Sequence, residues 1–291
     1  MKLLPKFTLI FLLVFGAGFA LAAYASYHFL RQSAREQVLQ QARLMMETMT
    51  AARVYTTKQI DPLLESEQRR EHDFIPETIP FYAATESFNY IRTAYPDYAY
   101  KEAALNPTNP RDRAVDWEAD IINNFRNQAG RKEFIGERTT PTGPSLFLAR
   151  PIQVERECLA CHDRAASAPP VMVHHYGRDN GFGWKEGEVI GAQIVSVPMA
   201  VPVRKADADF RSLMIDLGGI FLAALILLDV LLYVSVVRPV GRLSTMADQI
   251  SLGNFDTPEL PADGRDEISV LAGSFNRMRR SLEKALKILN G

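Results

Sequence analysis

The segment Cys158-Leu159-Ala160-Cys161-His162 holds the chain's only two cysteines, three positions apart, with a histidine directly after the second. Two thiols at that spacing can add to the two vinyl groups of one haem, and the next imidazole then falls under the iron as an axial ligand. The expectation is one covalent haem c, with Cys158 and Cys161 as attachment points and His162 as metal ligand. Two other chemistries use the same residues. A thioredoxin-like pair expects a strand–turn–helix start in a βαβ context, whereas Pro151 and the run Glu155-Arg156-Glu157 precede this pair. A zinc site would need further ligands, for which His174 and His175 are candidates.

With no third cysteine, a thiolate sixth ligand is excluded. His72, His174 and His175 are the other histidines of the central segment, and Met45, Met46, Met49, Met172 and Met199 are its candidate thioethers. An open position that binds a small gas fits the sequence equally. Lys101, Arg111, Arg113 and Arg150 are candidate partners for the haem propionates, because arginine forks bind carboxylates strongly. Gly177, Gly181 and Gly183 alternate with Tyr176, Phe182 and Trp184, which lets backbone approach a flat cofactor. A dinucleotide fingerprint, G-x-G-x-x-G, is absent from that stretch.

Two apolar stretches set the frame in which this site must sit. Phe7 to Leu30 is 24 residues without a charged side chain, and a bilayer-spanning helix needs about 20. Ala20-Leu21-Ala22 faintly resembles a signal-peptide cleavage site, but apolar residues continue past it, so an uncleaved anchor is expected. Leu213 to Val237 is the second stretch, closed by Arg238-Pro239. It contains Asp216 near its outer end and Asp229, about 24 Å along at 1.5 Å per residue. A central Asp costs roughly 3 kcal/mol on insertion scales. Asp229 reads either as a protonated or paired acid at a helix–helix contact or as a tolerated residue near the inner interface. Lys2, Lys6, Arg238 and Arg242 flank the spans on the side of the two tails, which the positive-inside rule makes cytoplasmic; Arg31 and Arg35 compete. The expected order is a cytoplasmic tail over 1–6, spans over 7–30 and 213–237, a periplasmic domain over 31–212 and a cytoplasmic module over 238–291, in the inner membrane.

Within 31–212, residues 32–68 read as a long helix continuing the first span, with Val38, Ala42, Met45, Met49 and Ala52 at helical spacing and Pro62 marking a kink or end. A short helix fits Tyr82 to Arg92. Tyr98 to Ala103 reads as a strand, and the two prolines of Asn106-Pro107-Thr108-Asn109-Pro110 make a rigid turn. Ala114 to Gln128 reads as an amphipathic helix with Trp117, Ile121, Ile122 and Phe125 inward. Glu133–Arg138 and Ser145–Val154 form a hairpin about Thr142-Gly143, and Val189–Val197 is a further strand. Helices with antiparallel strands predict an α+β, PAS-like sensor fold.

The stretch from Tyr98 through Asn106-Pro-Thr-Asn-Pro110 to Arg113, the Cys158–His162 motif and Tyr176-Gly-Arg-Asp-Asn-Gly-Phe-Gly-Trp-Lys185 resemble the c-type haem sensor domain of bacterial signalling proteins, long catalogued as a domain of unknown function. The resemblance covers roughly residues 35–200. It implies a PAS-like fold with one covalent haem c ligated by His162, and leaves the sixth ligand open.

Beyond Arg238-Pro239, Val240, Leu243, Ala247 and Ile250 recur at heptad spacing, and Gly253 ends that helix. Asp266-Glu267 opens a second helix whose seam is Ile268, Leu271, Phe275, Met278, Leu282, Ala285 and Leu289. Two chains would bury such seams as a parallel four-helix bundle. This part resembles a HAMP linker domain, through Pro239, Asp266-Glu267-Ile268 and Phe275-Asn276-x-Met278, with Ser269 where glycine is commoner.

The balance of 33 basic and 34 acidic residues excludes a strongly basic nucleic-acid binder. The expectation is a homodimeric, non-enzymatic membrane sensor without catalytic residues, responding to redox state or a small gas and signalling to a separate cytoplasmic protein. A membrane-anchored monohaem electron carrier and a subunit of a respiratory or photosynthetic complex are the alternatives.

Overall fold

The computed structural model describes residues 3–64, 75–128 and 130–289. They divide into two compact units, one formed by 28–209 and the other by 1–27 with 210–291.

Helix α1 (Leu3–Tyr55) carries the first apolar stretch and enters the 28–209 unit, where Ala34, Val38, Ala42, Met46 and Met49 are buried. The expected stripe named Met45 and Ala52. Met46 is the fully buried member, and Met45 lies partly covered beside the same core. The α-helix's period of 3.6 drifts the inward face from one methionine to its neighbour within a few turns. A π turn (Thr56–Ile60) follows, in which the amide of Asp61 donates to the Thr56 carbonyl. Pro62 comes next, and the wider turn moves backbone away from a ring that an α-helical carbonyl would meet. The expected kink therefore takes this form. A short 3₁₀ turn (Pro76–Thr78) leads to α2 (Pro80–Ala94).

The sheet has four antiparallel strands, β1 (Ala99–Ala104), β2 (Phe134–Thr140), β3 (Gly143–Gln153) and β4 (Val189–Pro198), in the order β1-β4-β3-β2. Helix α3 (Asp116–Asn127) lies between β1 and β2 in the chain. Side chains alternate between the two faces. On one face Tyr100, Leu146, Leu148, Val195 and Val197 pack with the α1 stripe and Phe88 of α2. On the other, Ala103, Phe147, Ala149, Ala192 and Ile194 pack with Ile121, Ile122 and Phe125 of α3. The expected hairpin and strands are present, with boundaries within a residue or two.

One irregularity matters for the site. The β3–β4 register passes from Ile152↔Gly191 to Gln153↔Val189, so Ile190 is an extra residue on β4. A bulge re-aims a side chain. Here it lets Ile190 join Ile152 and Val154 in a third, smaller cluster, which also takes in Phe81, Cys158, Leu159 and Trp184.

After β3 a 3₁₀ turn (Arg156–Cys158) runs into α4 (Leu159–His162), and α5 (Pro170–Tyr176) precedes β4. Helix α6 (Ala200–Leu232) carries the second apolar stretch and passes into a π turn (Tyr233–Val237). Again a proline, Pro239, stands two residues beyond the widened turn. Both α1 and α6 are long and apolar enough to cross a membrane, and none of either apolar window is buried.

In the unit of 1–27 and 210–291, Phe221 stacks on Phe15 at 5.6 Å and meets Phe19 edge-on at 6.0 Å. The Thr8 hydroxyl lies 3.0 Å from both carboxylate oxygens of Asp229. Asp229 is thus paired between the two apolar helices, the first of the two readings its position allowed. Helix α7 (Arg238–Ser251) ends at Gly253, whose φ is +85°. Helix α8 (Glu267–Leu289) is capped by Asp266, which accepts from the Ser269 amide at 2.7 Å. The connector docks on α8 through Asn276, which accepts from the Leu260 amide at 3.1 Å and donates to its carbonyl at 2.8 Å. Arg279 donates to the Thr257 carbonyl beside it. On α7 the buried residues are Leu243, Met246 and Ile250, and the expected seam residues Ala247 and Ile250 line a groove with Phe275, Met278 and Leu282 of α8. On α8 the seam residues Leu271, Met278 and Leu282 are 52%, 48% and 44% exposed.

Candidate functional site

The site grows from the end of β3. Val154 donates to the Glu188 carbonyl at 2.9 Å and accepts from the Gly187 amide at 2.8 Å, which ties the two chain segments where the sheet ends. The turn that follows is helical from Arg156 to His162. Helical geometry places residues three apart on one side of a turn, so Cys158 and Cys161 share that side. Both are half-buried free thiols. Burial pushes the Cys161 thiol pKa up, and the nearby Cys158 and Asp61 push it further. Asp61 belongs to the continuation of α1 past its π turn.

His162 is held on several sides. Its Nδ1 lies 2.7 Å from the Gly181 carbonyl oxygen, so this nitrogen carries the proton and donates. The Thr108 hydroxyl is 3.4 Å from the same nitrogen. The ring stacks on the Trp184 indole with centroids 4.0 Å apart and planes 11° apart. Backbone bonds from Gly183 to the Asp163 carbonyl and from Trp184 to the His162 carbonyl, 2.9 and 3.3 Å, lay the 181–184 segment along the motif. Burial lowers the imidazole pKa and keeps it neutral near pH 7. A neutral ring that donates from Nδ1 to a backbone carbonyl presents Nε2 as a lone-pair donor, the arrangement of an oriented metal-ligating histidine.

Gly181 is required by this geometry. Its φ is +82°, and a Cβ there would lie 2.0 Å from Thr108 Oγ1 and 2.8 Å from Thr108 Cα. The Asn106–Pro110 turn and the glycine–aromatic stretch therefore meet at His162, two segments far apart in sequence. Gly181→Ala adds a left-handed-region penalty of roughly 1 kcal/mol to that backbone clash. It is expected to lower the midpoint of thermal unfolding by more than about 4 °C. Scanning calorimetry of the two proteins reads the difference, and an unchanged midpoint would show that the contact carries no weight.

The four cations expected near a carboxylated ligand have these partners. Lys101 Nζ bonds Glu118 at 2.7 Å and the Arg113 carbonyl at 2.8 Å, on the α3 side of the sheet. Arg150 is held by Glu133 and Glu47 at 2.8 and 2.7 Å. Arg111 pairs with Glu86 at 2.6 Å and lies over the Tyr82 ring. Arg113 donates to the Asn180 side chain at 3.2 Å, within the stretch that holds His162. Among the candidate sixth ligands, Met46, Met49 and Met199 are buried in the core against the sheet, with Met45 beside it. Met172 is buried, and His174 and His175 are exposed on α5. His72 lies outside the described residues. Among the described residues, no three His, Cys, Asp or Glu side chains gather as a metal cluster, so His174 and His175 do not join the cysteines in one.

The sequence reading missed Arg53. Its guanidinium sits 3.8 Å above the Phe81 ring, which packs in the Cys158 cluster, and its Nε is buried without a hydrogen-bond partner among the described residues. The signal was available: Ala42, Met46, Met49, Arg53 and Thr56 continue one helical face at spacings of 4, 3, 4 and 3, and a charge on an inward face calls for a partner.

An α+β domain bearing an oriented histidine beside paired thiols, with two helices apolar enough to cross a membrane and a capped helix–connector–helix unit, fits a membrane-associated protein. The family comparison gives that class its particular member. The Tll0287-like family model matches residues 31–198 and the HAMP domain model matches residues 231–284. The first match covers more than half of the chain, which therefore belongs to the Tll0287-like family and continues into a HAMP domain. Among solved structures, that of the cyanobacterial heme-protein Tll0287 is similar at 18% identity and a TM-score of 0.43, over 55% of this chain and 94% of that one. No curated protein matches.

Proposed function

We propose that this chain is a two-pass membrane sensor whose domain over 31–212 faces the periplasm and carries one haem c, bound through Cys158 and Cys161 and ligated by His162 Nε2. The observation that carries the reading is His162: Nδ1 is committed to the Gly181 carbonyl, Trp184 fixes the ring plane, and both thiols stand on the adjoining helical turn. The residues fit the group. Arg113 and Arg111, on the segment that reaches His162, are the cations best placed by sequence to meet its carboxylates. The group itself would supply a one-electron couple and a coordination position.

The four-stranded sheet between two helical layers supports the PAS-like reading, and the distribution of Lys and Arg around the spans supports a cytoplasmic HAMP module. In this reading, two copies pair their α7 and α8 seams as a parallel bundle. The exported domain would convert a change in the bound group's redox or ligation state into a shift, which α6 would pass across the membrane and the bistable bundle would hand to a separate cytoplasmic protein. The signal is redox state or a small gas.

Spectra of the purified full chain, oxidised, reduced and reduced with carbon monoxide, test the haem assignment and the kind of signal. The expected result is a haem chromophore that changes on reduction. A further shift with carbon monoxide marks a gas-accessible position, and no shift marks a protein sixth ligand and a redox signal. A protein without haem absorbance overturns the proposal. Truncation after Val237 addresses the electron-carrier alternative: a sensor loses its cellular response, whereas a carrier keeps electron transfer.

A further inference from the structure

On the α1 face of the sheet a polar layer separates the main core from the Cys158 cluster. Glu102 of β1 stands in it, opposite Gln193 of β4, and is 5% exposed. One carboxylate oxygen accepts from the Tyr100 hydroxyl, which in turn accepts from Gln193 Nε2 at 3.2 Å. The other, Oε2, is buried with no hydrogen-bond partner among the described residues, as is Nε of Arg53. Arg53 is the nearby positive charge that bears on Glu102, and it lies over Phe81 of the Cys158 cluster. Arg53 and Phe81 thus lie between Glu102 and the small Ile152, Val154 and Ile190 cluster against which Cys158 also packs.

We propose that Glu102 is a proton-binding site linked to the redox state of the haem, taking up a proton when the iron is reduced and releasing it on oxidation. The proposal rests on the haem c reading. The balance is one electron from an external one-electron donor to the iron and one proton from water to Glu102 Oε2, so that the reduced state gains no net charge. Burial pushes the Glu102 carboxyl up to about 8, against the lowering effects of Arg53, Tyr100 and Gln193. A unit charge within about 10 Å moves a buried carboxyl by roughly one pKa unit. Reduction removes one positive charge and raises the pKa further, which opens a window around pH 8 in which the oxidised form is ionised and the reduced form protonated. The charged and titratable groups facing Glu102 are Tyr100 on its own strand, Arg53 from α1 and Asp112 after β1. Two strands away Arg150 is already engaged by Glu47 and Glu133. Burial also raises Asp112, whose charge is offset by Arg111 and Lys101.

The test is a redox titration of the detergent-solubilised full chain from pH 6 to 10, for the native protein and Glu102→Gln. For a shift of one pKa unit, the native midpoint potential falls by about 59 mV in total as the pH rises through the window, the one-electron equivalent of a factor of ten. Glu102→Gln, an isostere that keeps the Tyr100 contact, is expected to flatten that dependence. Arg53→Gln removes the charge that favours the carboxylate and is expected to move the window to higher pH, an outcome that a general loss of packing does not produce. A native midpoint that ignores pH, or the same slope in Glu102→Gln, overturns the proposal; the second result assigns the proton elsewhere, such as a propionate. A haem stain on the same samples separates the two readings, because a chain without covalent haem defeats the haem assignment itself.

Discussion

Cys158→Ala with Cys161→Ala together will leave no haem on the chain after denaturing electrophoresis, whereas either change alone will weaken the stain without removing it. The reason is covalent. In the proposed haem c, each thiol would make its own bond to the macrocycle, and one bond is enough to survive detergent and heat. His162→Ala will retain both bonds and alter the spectrum, since it removes the ligand and leaves the attachment. Trp184 and the Gly181 carbonyl, which orient the ring within 4.0 and 2.7 Å, lose their role in that variant. Full staining of the double variant would defeat the haem c assignment and return the paired thiols to the redox-pair or zinc readings. Lower yield of His162→Ala is read separately, by the ratio of stain to protein.

The second large effect concerns the helices after the membrane. Leu271→Cys or Met278→Cys should crosslink two chains in intact membranes several-fold more efficiently than Arg277→Cys or Arg280→Cys. Leu271 and Met278 belong to the seam and are about half exposed in the single chain. Seam residues meet their own copies across the two-fold axis of a parallel bundle. The opposite side of α8 is already used: Asn276 and Arg279 are buried against the connector through Leu260 and Thr257. A helix covered on one side and apolar on another leaves one direction for a partner. Arg277 instead donates to Ser274 of its own helix, and Arg280 lies 3.7 Å from Glu259. On the proposed haem c reading, the native cysteines are occupied and the background is low. Equal crosslinking at all four positions would remove the dimeric relay and favour an anchored cytochrome.

What the sequence determined by itself was local or periodic. The C-x-x-C-H spacing needs only one helical turn to bring two thiols to one side, so that placement was legible without a fold. The two apolar stretches, the heptads after Pro239, the Asp266 cap and the hairpin about Thr142-Gly143 were legible for the same reason: each is set by neighbours within a few residues. Tertiary structure decided the rest. Which methionine of the Met45-Met46 pair is buried depends on helix phase against the sheet. The bulge that turns Ile190 toward Cys158 is a property of two paired strands and leaves no mark in either alone. The meeting of Thr108, Gly181 and Trp184 at His162 joins segments some 54 and 19–22 residues away. Charge alone made Lys101, Arg111, Arg113 and Arg150 candidates, yet a long basic side chain takes whichever carboxylate the fold brings to it, and Lys101, Arg111 and Arg150 lie beside Glu118, Glu86 and the pair Glu47 and Glu133. Glu102 and Arg53 show the limit most clearly, because a strand glutamate and a helix arginine look like solvated charges until the sheet and α1 close over them and leave each with a buried atom that no described residue satisfies.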